Sequence, residues 1–190
     1  MKTKLPKLYA ITDRKKFKKP FEQQIKDFLE RGIKIIQIRE KDLPSGELYK
    51  LSKSTKEISK NYKDSFIIIN DRVDIAVILG LSGVHLPENS IPIKEIKNKF
   101  PELIVGKSCH SIDSALKAEK EGADYVIFSP IFYVEGKGKP QGLEKLEKLV
   151  NMLSIPVYAL GGINKSNMEK VWQTGVHGIA GIRTFLGYNS

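Results

Sequence analysis

Short apolar runs alternate with amphipathic stretches from one end of the chain to the other. Residues 7–12, 33–39, 66–70, 83–86, 104–108, 125–129, 156–160 and 178–182 read as strands. They are rich in Ile and Val and mostly lack polar alternation. Strands buried on both faces have this pattern, which implies a parallel sheet covered by helices. The intervening segments read as helices. Residues 20–31 open on Pro20 and carry Phe21, Ile25, Phe28 and Leu29 on one stripe, and residues 46–61 carry Leu48, Leu51 and Ile58. Shorter helices are predicted over 73–79 and over 93–99, the latter stopping before Pro101. Residues 111–121 open on a Ser111/Asp113 pair suited to a cap and end at Gly122; 143–153 end before Pro156, and 164–174 end at Gly175.

Eight strands with interposed helices predict a (β/α)8 TIM barrel, one α/β domain over residues 1–190. Such barrels usually need at least ~200 residues, so this one is compact and its last helix is a truncated stub within 183–190. A doubly wound open sheet competes, but the glycine fingerprint after its first strand is missing; Ala10-Ile11-Thr12-Asp13-Arg14 stands there instead.

Composition narrows the setting. Hydrophobic residues make up 41% and charged residues 28%, an ordinary globular balance. No apolar run approaches the roughly 18 residues of a membrane span, so no membrane partner is expected. The opening Met1-Lys2-Thr3-Lys4-Leu5-Pro6 lacks the apolar region of a signal peptide. Cys109 is the single cysteine, which excludes an internal disulfide and fits a cytoplasmic protein. The formal charge of +10 raises the question of nucleic acid. The lysines are dispersed (Lys15, Lys16, Lys18 and Lys19; Lys94, Lys97 and Lys99; Lys145 and Lys148), without interleaved aromatic residues. They read as solvated helix exteriors, with a few cations left for a small anionic substrate, and nucleic acid is not an expected partner.

In a barrel, chemistry gathers at the C-terminal ends of the strands. Gln37, Arg39 and Lys41 alternate with Ile38 and Glu40, so they face one way. Two cations and an amide suit a phosphate or pyrophosphate; an ion-paired layer with neighbouring carboxylates is the alternative. Asn70-Asp71 ends an Ile-rich strand. Asp71 suits a Mg2+ ligand and equally an N-cap for the helix over 73–79. Gly161-Gly162-Ile163-Asn164 and Gly181-Ile182-Arg183 follow the last two strands. Backbone approach at the glycines, with a helix N-terminus after the first of them, makes a phosphate cradle, or merely a pair of capping turns. The basic loop 135–142, with Lys137, has the length of a lid but lacks the spacing of a nucleotide P-loop; a mobile surface loop is its plain alternative. Ser108 and His110 share a face, Cys109 points away from them, and His85 is either an acid–base group or a hydrogen-bonded structural residue. No Cys/His cluster has zinc spacing.

Taken in order, Leu8-Tyr9-Ala10-Ile11-Thr12-Asp13, Gln37-Ile38-Arg39-Glu40-Lys41, Asn70-Asp71-Arg72-Val73-Asp74, Gly83-Val84-His85-Leu86, Gly122-Ala123-Asp124-Tyr125, Pro130-Ile131-Phe132 and Leu160-Gly161-Gly162-Ile163 resemble the thiamine phosphate synthase/TenI family over nearly the whole chain. The resemblance implies a transferase of thiamine biosynthesis. It would join hydroxymethylpyrimidine diphosphate to thiazole phosphate with Mg2+ and release pyrophosphate, which leaves before the thiazole nitrogen captures the pyrimidine cation. It assigns Gln37, Arg39, Lys41, Asn70, Asp71 and Lys137 to the pyrophosphate and metal shell, Ser108 to the pyrimidine, and Gly162, Ile182 and Arg183 to the thiazole phosphate. A homodimer is one assembly open to it.

The chain also departs from that pattern. Ser90 stands where the synthase has a second metal-binding aspartate, with Glu88 nearby as a replacement carboxylate. Val134 and Gly136 stand where it has two threonines for pyrophosphate, and Arg183 where it has a serine. Ser90 matches the TenI branch, a thiazole tautomerase, yet Pro130 stands where that branch has a histidine. The alternatives to a synthase are therefore a tautomerase with His85 or His110 as proton carrier, and a non-catalytic family member that binds a phosphate ligand or RNA.

Overall fold

In the computed structural model, which describes residues 5–186, eight parallel strands close into a barrel in sequence order. They are β1 (Leu8–Ile11), β2 (Ile35–Ile38), β3 (Phe66–Asn70), β4 (Gly83–Leu86), β5 (Ile104–Cys109), β6 (Tyr125–Phe128), β7 (Val157–Ala159) and β8 (Gly178–Gly181). Between them run α1 (Phe21–Glu30), α2 (Ser45–Ser59), α3 (Val73–Leu79), α4 (Ile93–Lys99), α5 (Ile112–Lys120), α6 (Gly142–Met152) and α7 (Met168–Trp172). Strand β8 pairs back onto β1 through Tyr9 opposite Ala180, which closes the cylinder. No helix among the described residues is long and apolar enough to cross a membrane.

The continuous apolar strands sort into two layers by parity. Ala10, Ile36, Ile38, Val84, Val105 and Phe128 face outward and join the helix stripes, including Ile25, Phe28 and Leu29 of α1, in the main core. Tyr9, Ile11, Ile35, Ile68, Tyr125, Ile127 and Tyr158 face inward and fill the barrel. The three tyrosine rings meet at centroid distances of 5.3–5.7 Å. Each buried ring removes on the order of 150–250 Å² from water, a gross gain of about 4–6 kcal/mol. Glycine makes room for two of them: Gly106 is the register partner of Tyr125 and Gly178 that of Tyr158, and a Cβ at either position would strike the facing ring.

The predicted elements are present with most ends drawn in by a residue or two. The seventh helix departs further, beginning at Met168 rather than at 164. Asn164 and Asn167 capture the backbone there: Asn167 Oδ1 accepts from the Asn164 amide at 2.9 Å, and Asn164 Oδ1 accepts from the Ser166 amide at 2.9 Å. Side chains that bond neighbouring amides hold a turn in place of a first helical turn. The predicted cap on α5 is present, with Ser111 and Ser114 in a reciprocal capping box. After β8 the chain makes a turn over residues 184–186, and the rest of the stub predicted over 183–190 lies outside the described residues.

Candidate active site

The end of β2 divides its charges between two sides. Glu40 turns outward and is buried. It accepts from the Arg14 amide at 3.0 Å and from the Arg14 guanidinium at 3.0 Å, while Arg14 forks onto Asp42 at 2.7 and 2.8 Å. Gln37 turns inward, and the Arg39 amide is held by Thr12 Oγ1 at 3.0 Å. The carboxylates that could have neutralised this segment are thus committed to Arg14 and Lys15. Among the described residues no carboxylate lies within ion-pair distance of Arg39, Lys41 or Lys137. An ion-paired layer is therefore not what these cations form. The Lys41 ammonium is held below its ordinary range by the Arg39 charge first, then by burial and Lys137, with Asp71 acting against them. Four groups foreseen from sequence are accordingly within electrostatic reach of one another. A cavity of about 290 Å³ opens toward the outer side of β2, lined by Ile38, Glu40, Leu43 and Leu48 together with Lys41, Asn70, Asp71 and Arg72.

Asp71 is not the cap of α3. The capping position is Arg72, without a side-chain cap bond, and the Arg72 guanidinium pairs with Asp74. Asp71 instead sits in the left-handed region at φ 57°, its amide donating to the His85 carbonyl at 3.0 Å. Such strain is uncommon outside glycine and gathers at functional sites. No three acidic, His or Cys side chains among the described residues cluster as a metal cage. Glu88 accepts from the His110 amide at 3.2 Å, and the Ser90 hydroxyl bonds the Ile91 carbonyl. Among the described residues at the ends of β3 and β4, Asp71 keeps its carboxylate uncommitted, beside the Asn70 amide. That fits Mg2+, which commonly takes one or two carboxylates and completes its shell with water and substrate phosphate oxygens.

Below the mouth, Ser108 bonds His85 Nε2 at 2.9 Å and His85 Nδ1 bonds the Tyr125 hydroxyl at 3.2 Å. Burial, and secondarily the Arg39 charge, push the imidazole down to about 3, so His85 is neutral across the ordinary pH range. A general acid–base group should titrate near working pH, so of the two readings open for His85 the buried, hydrogen-bonded residue is the one this geometry favours. His110 is exposed past β5, its Nδ1–H donating to the Ser129 carbonyl at 2.7 Å. Cys109 faces the helices, as expected, and burial pushes its thiol up to about 12. Sequence reasoning missed Tyr9 and Tyr125, whose hydroxyls lie 2.8 Å apart and connect this side of the barrel to Gln37. The readable signal was a tyrosine on the inward parity of each strand, one of them facing a glycine on the next strand.

The ends of β7 and β8 do meet: Thr184 Oγ1 donates to the Ile163 carbonyl at 3.0 Å. Gly161 and Gly162 are left-handed at φ 103° and 68°. A Cβ on Gly161 would lie 2.8 Å from Pro130 Cα, and one on Gly162 would lie 2.7 Å from Phe132 Cβ. These glycines therefore seat the loop that follows β6. Its base is pinned by Phe132 N to Gly161 O at 3.0 Å and by Gln141 N to Pro130 O at 2.7 Å. One part of the expected cradle is corrected: the helix N-terminus begins at Met168, too late to follow Gly162 directly. Gly181 is buried, with Thr184 packed beside it. Gly162 and Arg183 remain exposed at the rim.

The thiamine monophosphate synthase family profile matches residues 8–185. A relative from Aquifex aeolicus is 46% identical over 96% of this chain and 98% of its own. The thiamine-phosphate synthase of Pyrococcus furiosus is 41% identical over 95% of this chain and 87% of its own. A solved structure of thiamine phosphate pyrophosphorylase from Pyrococcus furiosus superposes with a TM-score of 0.88 at 40% identity, covering 99% of this chain and 90% of that one.

Proposed function

The chain belongs to the thiamine monophosphate synthase family and is an enzyme of thiamine biosynthesis of the thiamine-phosphate synthase type; on that premise we propose that its barrel mouth couples hydroxymethylpyrimidine diphosphate to thiazole phosphate with release of pyrophosphate. The observation that carries this reading is the set of cations, Arg39, Lys41 and Lys137, left without carboxylate partners around Asp71. Cations fixed in place before reaction favour the state in which charge has moved onto a departing pyrophosphate. Arg39 offers a planar fork to phosphate oxygens, and Lys41 and Lys137 add point charges from two loops. Asp71 would hold Mg2+, which would supply further positive charge to the same oxygens, while the Asn70 amide N–H groups would donate to them. Ser108 faces the pyrimidine, while Gly162, Ile182 and Arg183 receive the thiazole phosphate. Arg183 in place of a serine exchanges a hydroxyl donor for a full charge. The tautomerase alternative is left with His110 alone as a proton carrier, since His85 is buried with both nitrogens bonded.

The test supplies both substrates with Mg2+ and follows pyrophosphate. Turnover is expected, with kcat/KM for the pyrimidine diphosphate lowered roughly 100-fold or more in Arg39→Gln, the loss seen when a charge-stabilising donor is removed. Arg183→Ala should raise the Kd of thiazole phosphate about tenfold, a charged hydrogen bond's contribution. No pyrophosphate from a protein that still binds thiazole phosphate would overturn the reading.

A further inference from the structure

Six polar side chains from six strands are hydrogen-bonded in series through the barrel interior: Ser108, His85, Tyr125, Tyr9, Gln37 and Asn70. Each link has a donor and an acceptor, and the orientation of the Gln37 amide, followed by proton counting, sets the direction of the series. Gln37 Oε1 accepts from the Tyr9 hydroxyl at 3.2 Å, and Gln37 Nε2 donates to Asn70 Oδ1 at 3.2 Å. Tyr9 has one proton, committed to Gln37, so across the 2.8 Å contact Tyr125 donates and Tyr9 accepts. The Tyr125 proton is then committed as well, so His85 Nδ1 carries the hydrogen at the 3.2 Å contact. The imidazole is 3% exposed, with hydroxyls on both nitrogens and no carboxylate bonded to it among the described residues. An unpaired buried charge is costly, so the ring is neutral and Nε2 is an acceptor. Ser108 must therefore donate inward to Nε2, across 2.9 Å.

We propose that this one-way chain presents Ser108 to the substrate solely as an acceptor and Asn70 as a donor, and so selects a pyrimidine bearing an amino N–H over one bearing a carbonyl at the same position. The proposal rests on the synthase reading for which ring enters the mouth. Tyr125, Tyr9 and His85 are positioning residues: they touch no substrate and act by setting the direction of Ser108 and Gln37. The far end is consistent in chemistry, because Asn70, with its oxygen taken by Gln37, turns N–H groups toward anionic oxygens. An acceptor facing a carbonyl leaves two buried oxygens without a proton, and sites of this kind discriminate strongly.

The experiment combines imidazole nitrogen NMR with kinetics on the full chain. The His85 signals are assigned by removing the others in His110→Gln and His177→Gln. Wild-type His85 is expected as the Nδ1–H tautomer. Tyr125→Phe keeps the ring that packs on Gly106 but removes the acceptor for that hydrogen. The tautomer should then switch to Nε2–H, donating to Ser108. Tyr9→Phe removes the acceptor that commits the Tyr125 proton, so Tyr125 is freed to donate to His85 Nδ1 and the tautomer should likewise shift toward Nε2–H. In Tyr125→Phe the preference for the aminopyrimidine diphosphate over its oxo analogue should fall about tenfold, the effect of one reversed hydrogen bond, while KM for thiazole phosphate stays unchanged. A wild-type Nε2–H tautomer, or an unaltered preference in a variant whose tautomer has switched, overturns the proposal. Absence of wild-type turnover with either pyrimidine overturns the synthase reading and the substrate selection with it, and the wild-type tautomer still decides the direction of the chain.

Discussion

Gly162 and Gly136 form a matched pair for separating backbone strain from crowding. Both are left-handed, at φ 68° and 71°, yet a Cβ on Gly136 would meet nothing within 4 Å, whereas one on Gly162 would lie 2.7 Å from Phe132 Cβ and 3.0 Å from the Tyr133 carbonyl oxygen. Alanine at either position incurs about 1–2 kcal/mol for the left-handed conformation, less the ~0.4–1 kcal/mol recovered by restricting the unfolded chain. Only Gly162→Ala adds overpacking, about 1–3 kcal/mol, because both neighbours belong to a loop base pinned to β7 by the Phe132–Gly161 bond. For a chain of this size 1 kcal/mol moves Tm by roughly 2–4 °C. Gly162→Ala should therefore melt about 2–12 °C below Gly136→Ala in parallel calorimetric scans. It should also bind thiazole phosphate more weakly by titration calorimetry, since the crowded segment adjoins the phosphate site proposed at Gly162 and Arg183. Equal melting temperatures would refute the argument, by showing that the 130–133 segment yields freely and that Gly162 is glycine for its φ alone.

Two further outcomes follow from the mouth. Asp71→Gly relieves a left-handed non-glycine residue, so Tm should hold or rise by a few degrees, on the order of 1 kcal/mol, while Mg2+ stimulation of pyrophosphate release is lost; retained Mg2+ dependence would remove Asp71 from the metal shell. Lys41 is held below its ordinary value of 10.5 by Arg39, burial and Lys137, and a bound diphosphate offsets the two cations and raises it again. Binding should therefore take up a proton in the alkaline window just below 10.5, and affinity should fall as pH rises through the depressed value. The unliganded protein has the opposite slope there: the unfolded chain binds more protons, so the Lys41 contribution to stability rises with pH. Calorimetry in two buffers of different ionisation enthalpy reads the uptake, and proton release on binding would contradict it.

How far the sequence carried depended on whether a feature was periodic. Strand parity is strictly two, so Gln37 inward and Glu40 outward could be read without coordinates, and so could the separation of Ser108 from Cys109. The seventh helix was misplaced because Asn164, following Gly161-Gly162-Ile163, reads as a helix start signal, whereas the decisive competition is between the Asn164 and Asn167 side chains and the first helical amides. Asp71 was ambiguous between cap and ligand, since both roles need a carboxylate just before a helix; only its backbone angle and the capping position at Arg72 separate them. The tyrosine chain was missed for another reason. Its partners come from six strands, and no local window contains two of them.

By the resemblance, Ser90 stands for a carboxylate, Val134 and Gly136 for hydroxyl donors and Arg183 for a serine, so on the proposed reading the mouth relies less on fixed short donors and more on uncompensated charge. A hydroxyl donor discriminates by geometry, at about 1 kcal/mol per neutral bond, whereas an uncompensated cation acts over longer range and tolerates displacement. The structure keeps its cations uncompensated deliberately close to carboxylates that are committed elsewhere: Glu40 lies one residue from both Arg39 and Lys41, yet is held on the far side of β2 by Arg14. Releasing Glu40 from that grip would let a carboxylate compete with the diphosphate for the same cations. On the proposed reading Arg14 would contribute to anion binding without facing the mouth, and Arg14→Ala should weaken diphosphate binding in titration calorimetry; unchanged affinity would refute this role.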